Sequence, residues 1–255
     1  MNGDAAIALR ERIWELLRDR GQAAVETALH LSSDLPVPGE IPDDLTAQCI
    51  FDIGFELERL GQDQQAMAQY RRVTRYRTAQ PKYPASAWFR LGVCLRRRGD
   101  YGQAVDGYRK SLALAAGLTH LETLAHFYLG EMLEAAEEYD QAVRSYSIAL
   151  DGLPHPDIRE PQLKLAYGRC AWRTGEKAAA VSALREVARA ADDPASAEAW
   201  KWLAEIAEAG RDFAAASEAY REIMASPHAE PSLRAAAAYR VESAAKAMRK
   251  SGSAF

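Results

Sequence analysis

Residues 85–108 have the sequence ASAWFRLGVCLRRRGDYGQAVDGY, in which two helix-forming segments flank a turn signal at Gly99. The first segment carries Gly92, and the second carries Ala104 and Tyr108. Spacings of three and four residues around these positions place them on one stripe of each helix. A glycine that follows a helix adopts the left-handed conformation at little steric cost. The stretch therefore predicts a hairpin of two antiparallel helices whose small side chains allow close approach.

The same pattern recurs along the whole chain. The small residue of the first helix returns three times after 38 residues and then after 36 residues. An alanine follows it by 12 residues, and a large residue comes four residues later. These positions hold Gly54, Gly92, Gly130, Gly168 and Ala204, then Ala66, Ala104, Ala142, Ala180 and Ala216, then Tyr70, Tyr108, Tyr146, Leu184 and Tyr220. Five copies of one offset pattern predict a tandem array of helical hairpins.

This pattern resembles the tetratricopeptide repeat. The family signature W-x2-L-G-x2-Y and A-x3-F corresponds here to Trp88, Leu91, Gly92, Leu95, Ala104 and Tyr108. The resemblance covers about residues 47–230 and implies an all-α fold, a right-handed superhelical solenoid of antiparallel helix hairpins. The chain departs from the family in its 38-residue intervals, because the usual period is 34 residues. We expect the additional residues to lengthen a helix or a loop between hairpins.

Segments outside the five copies complete the predicted organisation. Residues 5–33 have the pattern of a helix pair, the prolines within 35–42 exclude a helix there, and Pro231 opens an alanine-rich segment. We predict a degenerate N-terminal helical hairpin at 1–34, a Pro-rich linker at 35–46, five hairpins at about 47–80, 85–118, 123–156, 161–194 and 197–230, a C-terminal capping helix at 231–250 and a tail at 251–255. The capping helix is expected to cover the apolar face of the last hairpin.

The composition favours a soluble, helical protein. Helix formers such as alanine, leucine, glutamate and arginine outnumber valine, isoleucine and threonine. No apolar stretch is long enough to cross a bilayer, and the first residues lack the pattern of a secretory signal. The cysteines Cys49, Cys94 and Cys170 are too few and too far apart for a disulfide framework or a CxxC metal site. We therefore expect a cytoplasmic protein without membrane contact.

The sequence offers no catalytic constellation. The five histidines form no i, i+4 pair, and the motifs HExxH, GxSxG, GxxxxGKS/T and GxGxxG are absent. The acidic cluster around Glu134 and Glu137 is typical of a solvated helix face rather than of a cation site. We therefore predict that the protein is not an enzyme and that it holds no metal and no cofactor.

Clusters of arginine raise the question of nucleic-acid binding. They comprise Arg71, Arg72, Arg75 and Arg77 on one second helix and Arg96, Arg97 and Arg98 at the end of a first helix. Cations at a helix C-terminus complement the helix dipole. Because the formal net charge is −4 and acidic residues interleave, the balance argues against nucleic acid as the partner.

The resemblance implies a binding groove, because in this family the first helices of successive hairpins line a concave surface that holds peptides or partner helices. The corresponding residues here are Phe51, Phe55, Phe89, Arg90, Val93, Arg97, Phe127, Glu131, Arg169, Trp172, Arg173 and Lys201. We expect the five aromatic residues to act as apolar anchors and the arginines to pair with acidic groups of the partner. The alternative is that some of these aromatics pack between neighbouring hairpins or under the N-terminal segment.

The function predicted from these observations is a non-catalytic scaffold or adaptor that binds a peptide or another protein. Two alternatives stay open. The chain could self-assemble into homo-oligomers as a structural protein, or it could act as a regulatory sensor for a small molecule or a signal peptide.

Overall fold

The computed structural model describes residues 3–39, 43–190 and 192–252, and all regular secondary structure in these ranges is helical. The helices are α1 (Gly3–Asp19), α2 (Gln22–Leu31), α3 (Asp44–Arg59), α4 (Asp63–Val73), α5 (Lys82–Arg97), α6 (Tyr101–Leu114), α7 (Thr119–Ala135), α8 (Tyr139–Asp151), α9 (Glu160–Thr174), α10 (Lys177–Arg189), α11 (Ala195–Ala209), α12 (Phe213–Ala225) and α13 (Pro231–Gly252), with a 3₁₀-helix at Ser32–Asp34. The repeated helix hairpins predicted from the sequence are confirmed.

The chain divides into two compact units, Met1–Met132 and Leu133–Phe255. In the first unit α1 and α2 pack against α3, and the hairpins α3–α4 and α5–α6 follow one another in contact. In the second unit α8 contacts α9, the hairpins α9–α10 and α11–α12 pack in succession, and α13 lies against α12. Successive hairpins within each unit therefore share one apolar layer, as expected for helical repeats.

In the hairpins α3–α4, α5–α6 and α9–α10 the two helices approach each other closely at the leading glycine. A Cβ at Gly92 would lie 2.8 Å from Cε1 of Tyr108 and 3.2 Å from the carbonyl oxygen of Ala104. A Cβ at Gly168 would lie 2.8 Å from Cγ of Leu184. The large residue of the second helix therefore packs directly over the glycine of the first, which explains why both positions recur together.

The turns within the hairpins place one residue in the left-handed conformation. This residue lies seven positions after the leading small residue and is Gly61, Gly99, Glu137, Gly175 and Arg211 in the five copies, with φ between 58° and 87°. In the last copy a glycine, Gly210, also stands in the turn, but it has φ −80°. The cap falls one residue later, so a non-glycine residue carries the strained conformation.

The residues by which the 38-residue intervals exceed the family period lie partly in helices and partly in loops. Only residues 115–118 separate α6 from α7, so the added length there extends helices. Residues 152–159 separate α8 from α9 and form an irregular connection. Both expectations from the 38-residue spacing are therefore met, at different places.

The two ends of the repeat array are covered by helices. At the start, Ile13 of α1 and Val25 of α2 are fully buried. The predicted linker 35–46 is shorter than expected because α3 begins at Asp44, and residues 40–42 of it lie outside the described residues. At the end, Ala237 and Ala244 of α13 are buried. The helix extends to Gly252, and residues 253–255 of the predicted tail also lie outside the described residues.

None of the helices in the described ranges combines the length and the apolar character needed to cross a membrane.

Candidate functional site

The first-helix face of the first unit, formed by α3 and α5, carries one exposed aromatic side chain. Phe55 of α3 is 38% exposed. The guanidinium carbon of Arg90 on α5 lies 4.9 Å from the centroid of its ring, a cation–π geometry. Val93 occupies the equivalent position to Phe55 in the next hairpin and is half-buried. This face therefore offers an apolar contact beside a cation.

The other predicted aromatics of this unit are engaged in packing. Phe89 is only 3% exposed, and its ring centroid lies 5.8 Å from that of Tyr108 and 5.7 Å from that of Tyr128. Phe89 is therefore not an exposed anchor, because the aromatic residues of two neighbouring helices enclose it. Phe51 is half-buried against Tyr70, with a centroid distance of 5.6 Å.

Phe127 and Glu131 are the predicted site residues on α7 in this unit. Phe127 is half-buried, and its ring centroid lies 5.3 Å from that of Tyr128. Glu131 accepts a hydrogen bond from Arg96 at 3.2 Å. Both side chains therefore have partners inside the unit.

Charges on the first-helix face are paired within the protein. Glu58 accepts a hydrogen bond from the hydroxyl of Tyr70 at 2.7 Å and another from Arg97 at 3.0 Å. Arg90 approaches the same carboxylate to 3.7 Å. Burial, followed by the charge of Glu58, raises the pKa of Tyr70. These arginines were predicted to pair with acidic groups of a partner, but Arg90 lies beside Glu58, and Arg97 pairs with both Glu58 and Asp63.

The second unit repeats this arrangement. Glu134 accepts from the hydroxyl of Tyr146 at 2.8 Å and from Arg169 at 2.8 Å. Arg169 also reaches Glu198 at 3.2 Å, and at the end of the array Arg240 reaches Glu208 at 3.2 Å. The same contacts therefore recur. They join a tyrosine to the carboxylate twelve residues before it, and this carboxylate to an arginine of the helix that follows the tyrosine.

The remaining predicted residues of the second unit lie on α9 and α11. Trp172 is half-buried with the ammonium of Lys177 5.9 Å from its ring centroid. Arg173 lies 5.8 Å from the ring centroid of Trp202. Trp172 and Lys201 are half-buried and Arg173 is exposed, so these side chains stay accessible in part.

An open pocket of about 640 Å³ lies between α1 and α3, and Phe55 forms part of its wall. It is lined by Trp14, Leu17, Arg18, Arg20, Gln48, Asp52, Phe55 and Glu56. The indole nitrogen of Trp14 donates a hydrogen bond to Oδ2 of Asp52 at 3.1 Å. Burial raises the pKa of Asp52, while the hydrogen bond from Trp14 opposes this shift. Glu56 is buried and accepts a hydrogen bond from Arg59 at 2.6 Å.

Sequence reasoning did not find this pocket. Trp14 and Asp52 are 38 residues apart and belong to different hairpins. The only signal was a large aromatic residue in the degenerate first hairpin, and nothing in its spacing identifies the carboxylate that it contacts. The contact follows from the docking of α1 on α3.

The three cysteines and His126 have pKa values that burial shifts away from the ordinary ones. The three cysteines are fully buried, and burial raises the pKa of Cys49 and of Cys170 to about 12 and that of Cys94 to about 11. Thiols with such pKa values are poor nucleophiles. Burial also lowers the pKa of His126. Among the described residues there is no group of three or more side chains that could hold a metal ion.

Comparison with known proteins defines the family. Two tetratricopeptide-repeat models match the sequence, one over residues 83–154 and the other over residues 122–193 and 165–230. Together they span residues 83–230, which is more than half of the chain. The chain belongs to the tetratricopeptide-repeat family. Repeats of this family form protein-interaction surfaces and are in general not catalytic.

Solved structures of other proteins share the fold. BtubC (BKLC) from P. vanneervenii is 17% identical, with a TM-score of 0.57 over 90% of this chain and 92% of that one. The apo form of RapI is 16% identical, with a TM-score of 0.56 over 98% of this chain and 99% of that one. YrrB, described as a TPR protein with an unusual peptide-binding site, is 17% identical, with a TM-score of 0.52 over 77% of this chain and 88% of that one. None of the curated proteins matches the sequence.

Proposed function

We propose that this protein is a non-catalytic scaffold that holds a segment of a partner protein on the first-helix face of its first unit. The observation that carries the proposal is the exposed Phe55 at the wall of the open pocket between α1 and α3. Pockets of this size are typical binding sites, and this one combines two aromatic side chains with several charged ones.

The lining of the pocket defines the chemistry of the partner. Phe55 and Trp14 suit an apolar side chain, because aromatic residues provide large contact areas at low entropic cost. Asp52 has Trp14 as its hydrogen-bond donor and keeps a second carboxylate oxygen for a donor from the partner. We therefore expect the partner segment to carry an apolar residue next to a hydrogen-bond donor or a cation.

The charges of the face support an apolar rather than an ionic anchor. Because Glu58 already holds Arg97 and lies close to Arg90, these arginines gain little from a new carboxylate. Arg90 and Val93 would frame the segment beside Phe55. Trp172, Arg173 and Lys201 are proposed as a separate contact surface on the second unit.

The structural comparison also supports a peptide as the ligand. YrrB shares the fold and is described as having a peptide-binding site. We extend this property to the present chain as a proposal, since the low identity establishes only the common fold.

The test compares Phe55→Ala with Tyr101→Ala, a matched removal of an aromatic ring that is 56% exposed on α6. The partner is first isolated by affinity purification of the full chain from its native cells after chemical cross-linking, and its dissociation constant is then measured by calorimetry. Loss of an anchor side chain costs about 1–2 kcal/mol, so we expect Phe55→Ala to bind roughly 5- to 30-fold more weakly. Tyr101→Ala should bind like the unmodified chain. Unchanged affinity of a correctly folded Phe55→Ala variant would overturn the proposal.

A further inference from the structure

A second kind of pocket lies between the second helices of consecutive hairpins. In the first unit it has a volume of about 340 Å³ and is formed by α4 and α6, with α5 as its floor. Its lining includes Arg71, Arg75, Trp88, Asp106 and Lys110. None of these residues belongs to the first-helix face described above.

The same pocket recurs in the second unit between α10 and α12, with α11 as its floor and a volume of about 350 Å³. Its lining includes Arg185, Arg189, Trp200 and Glu218. Each of these residues has the repeat position of its counterpart in the first unit. The arginines follow Tyr70 or Leu184 by one and by five residues, the tryptophan precedes Gly92 or Ala204 by four, and the acid precedes Tyr108 or Tyr220 by two.

The two intermediate pairs of consecutive hairpins lack this combination. In the first pair the arginine positions hold Arg109 and Ala113, and the tryptophan position holds His126. In the second pair the arginine positions hold Ser147 and Asp151, and the tryptophan position holds Lys164. The combination of two arginines, a tryptophan and an acid is therefore a property of two positions rather than of the repeat itself. It occurs once in each unit.

The arginines of these pockets differ from those of the first-helix face in their charge environment. Arg71 and Arg75 are exposed, and neither guanidinium makes an ion pair with any side chain in the described part of the chain. Lys110 adds a third cation, with its ammonium 4.4 Å from the ring centroid of Trp88. Asp106 is the acidic residue that lines this pocket, whereas Asp212 and Glu218 balance the two arginines of the other. The pocket at Trp88 is therefore the more positive of the two.

We propose that each of these two pockets binds an acidic peptide segment of a partner protein, the pocket at Trp88 more tightly than the pocket at Trp200, with acidic residues of the segment on both sides of an apolar one. Guanidinium groups bind carboxylates through paired hydrogen bonds. Arg185 and Arg189 are one turn apart on α10, a rise of about 6 Å, and side chains of alternate residues in an extended strand are about 6.7 Å apart. Trp88, Leu91 and Leu95 give the apolar residue between them a surface to cover.

The pocket chemistry favours a peptide over a nucleic acid. Asp106 and Glu218 lie within the pockets and would repel a continuous phosphate backbone, and the formal net charge of the chain is −4. A peptide can place its charges on the arginines and keep a neutral residue near these carboxylates. The inference goes beyond the proposed function and does not depend on Phe55.

The five tryptophans of the chain provide separate reporters for the test. In ¹⁵N-labelled full-length protein each indole N–H gives its own resonance, assigned by single Trp→Phe variants. The probe is the peptide acetyl-Glu-Leu-Glu-Leu-Glu-amide at low ionic strength, with acetyl-Lys-Leu-Lys-Leu-Lys-amide as the control. We expect the acidic peptide to shift the resonance of Trp88 most and that of Trp200 less, and to leave Trp14, Trp172 and Trp202 in place.

The double variant R71E/R75E identifies the site within the same molecule. We expect it to weaken binding at Trp88 by about tenfold or more and to leave the response of Trp200 unchanged, which also shows that the variant is folded. The proposal is overturned if neither Trp88 nor Trp200 responds at millimolar peptide, if the response of Trp88 survives R71E/R75E, or if the basic peptide gives the same shifts. A stronger response of Trp88 to a thymidine oligonucleotide than to the acidic peptide would overturn it in favour of a nucleic-acid site.

Discussion

Gly92 shows how much of a hairpin depends on the absence of one Cβ. The ring of Tyr108 lies over its Cα, and a Cβ on the facing Gly107 would be only 3.1 Å from that same Cα. The two backbones are therefore in direct contact at this point. Helix propensity alone would favour alanine at position 92, so packing decides the residue.

We expect Gly92→Ala to destabilise the protein by about 1–2 kcal/mol, because the cost of overpacking exceeds the gain in helix propensity. Gly102 on α6 is the matched control, since a Cβ there would meet nothing within 4 Å. Gly102→Ala should stabilise the protein by up to about 1 kcal/mol. The measurement is the midpoint of thermal unfolding followed by circular dichroism. A Gly92→Ala midpoint at or above that of the unmodified chain would contradict the packing argument.

Phe89 shows where residue-level prediction fails. Its spacing from Gly92 gives its angular position on α5, but the residues that cover it, Tyr108 and Tyr128, come from two other helices. The register of the following hairpin is needed to place Tyr128, and the sequence pattern does not provide it. For a residue at the edge of the apolar stripe of its helix, only the structure therefore shows whether the side chain is buried.

At the scale of the element, the turns inside the hairpins keep their geometry even without glycine. Glu137 and Arg211 take the left-handed conformation with φ of 60° and 58°, where three other copies have glycine. The hairpin geometry thus imposes the conformation on whichever residue occupies the position. The sequence showed the turns but not the residue that carries the strain in the last copy.

We expect Glu137→Gly to raise the free energy of unfolding by about 0.5–1 kcal/mol, because glycine relieves a left-handed strain of about 1 kcal/mol and loses part of the gain through its larger unfolded-state entropy. For a chain of this size this corresponds to a rise of roughly 1–4 °C in the thermal midpoint. Gly210→Ala is the control, since Gly210 has an ordinary helical φ and should tolerate a side chain. If Glu137→Gly lowers the midpoint, the turn is not strained in the way described.

The N-terminal helices illustrate a second limit at this scale. The periodicity of residues 5–33 predicted a helix pair, and α1 and α2 occupy this segment. The pattern did not show that α1 packs on α3 and contributes Trp14 to a pocket with Asp52. Docking of a degenerate repeat depends on side chains that lie outside the repeat pattern.

At the scale of the whole molecule, charge is organised by pairs that span one repeat. Arg97 reaches Glu58 across 39 residues, and Arg169 reaches Glu134 across 35 residues. The sequence led us to expect that these arginines pair with acidic groups of a partner. The structure instead pairs them with these glutamates, because the first helices of consecutive hairpins lie side by side.

The fold was more predictable than the site, because the fold follows from contacts within each hairpin and the site from contacts between hairpins. The packing stripe repeats within each hairpin, so five copies of a local pattern were enough to identify the family and the helical hairpins. The candidate site depends on contacts between hairpins and on the docking of α1, neither of which leaves a periodic signal. Of the predicted aromatics in the first unit, Phe55 is the exposed one, and Phe89 is buried.

Hydrogen–deuterium exchange of the full chain, with and without its cross-link-identified partner, tests the central proposal most directly. Exchange is measured by mass spectrometry on peptides from every described helix. If the first-helix face of the first unit holds the partner, peptides of α1, α3 and α5 should exchange more slowly in the complex, with the strongest protection around Phe55. Equal exchange of the α3 peptides in the free chain and in the complex would contradict the account.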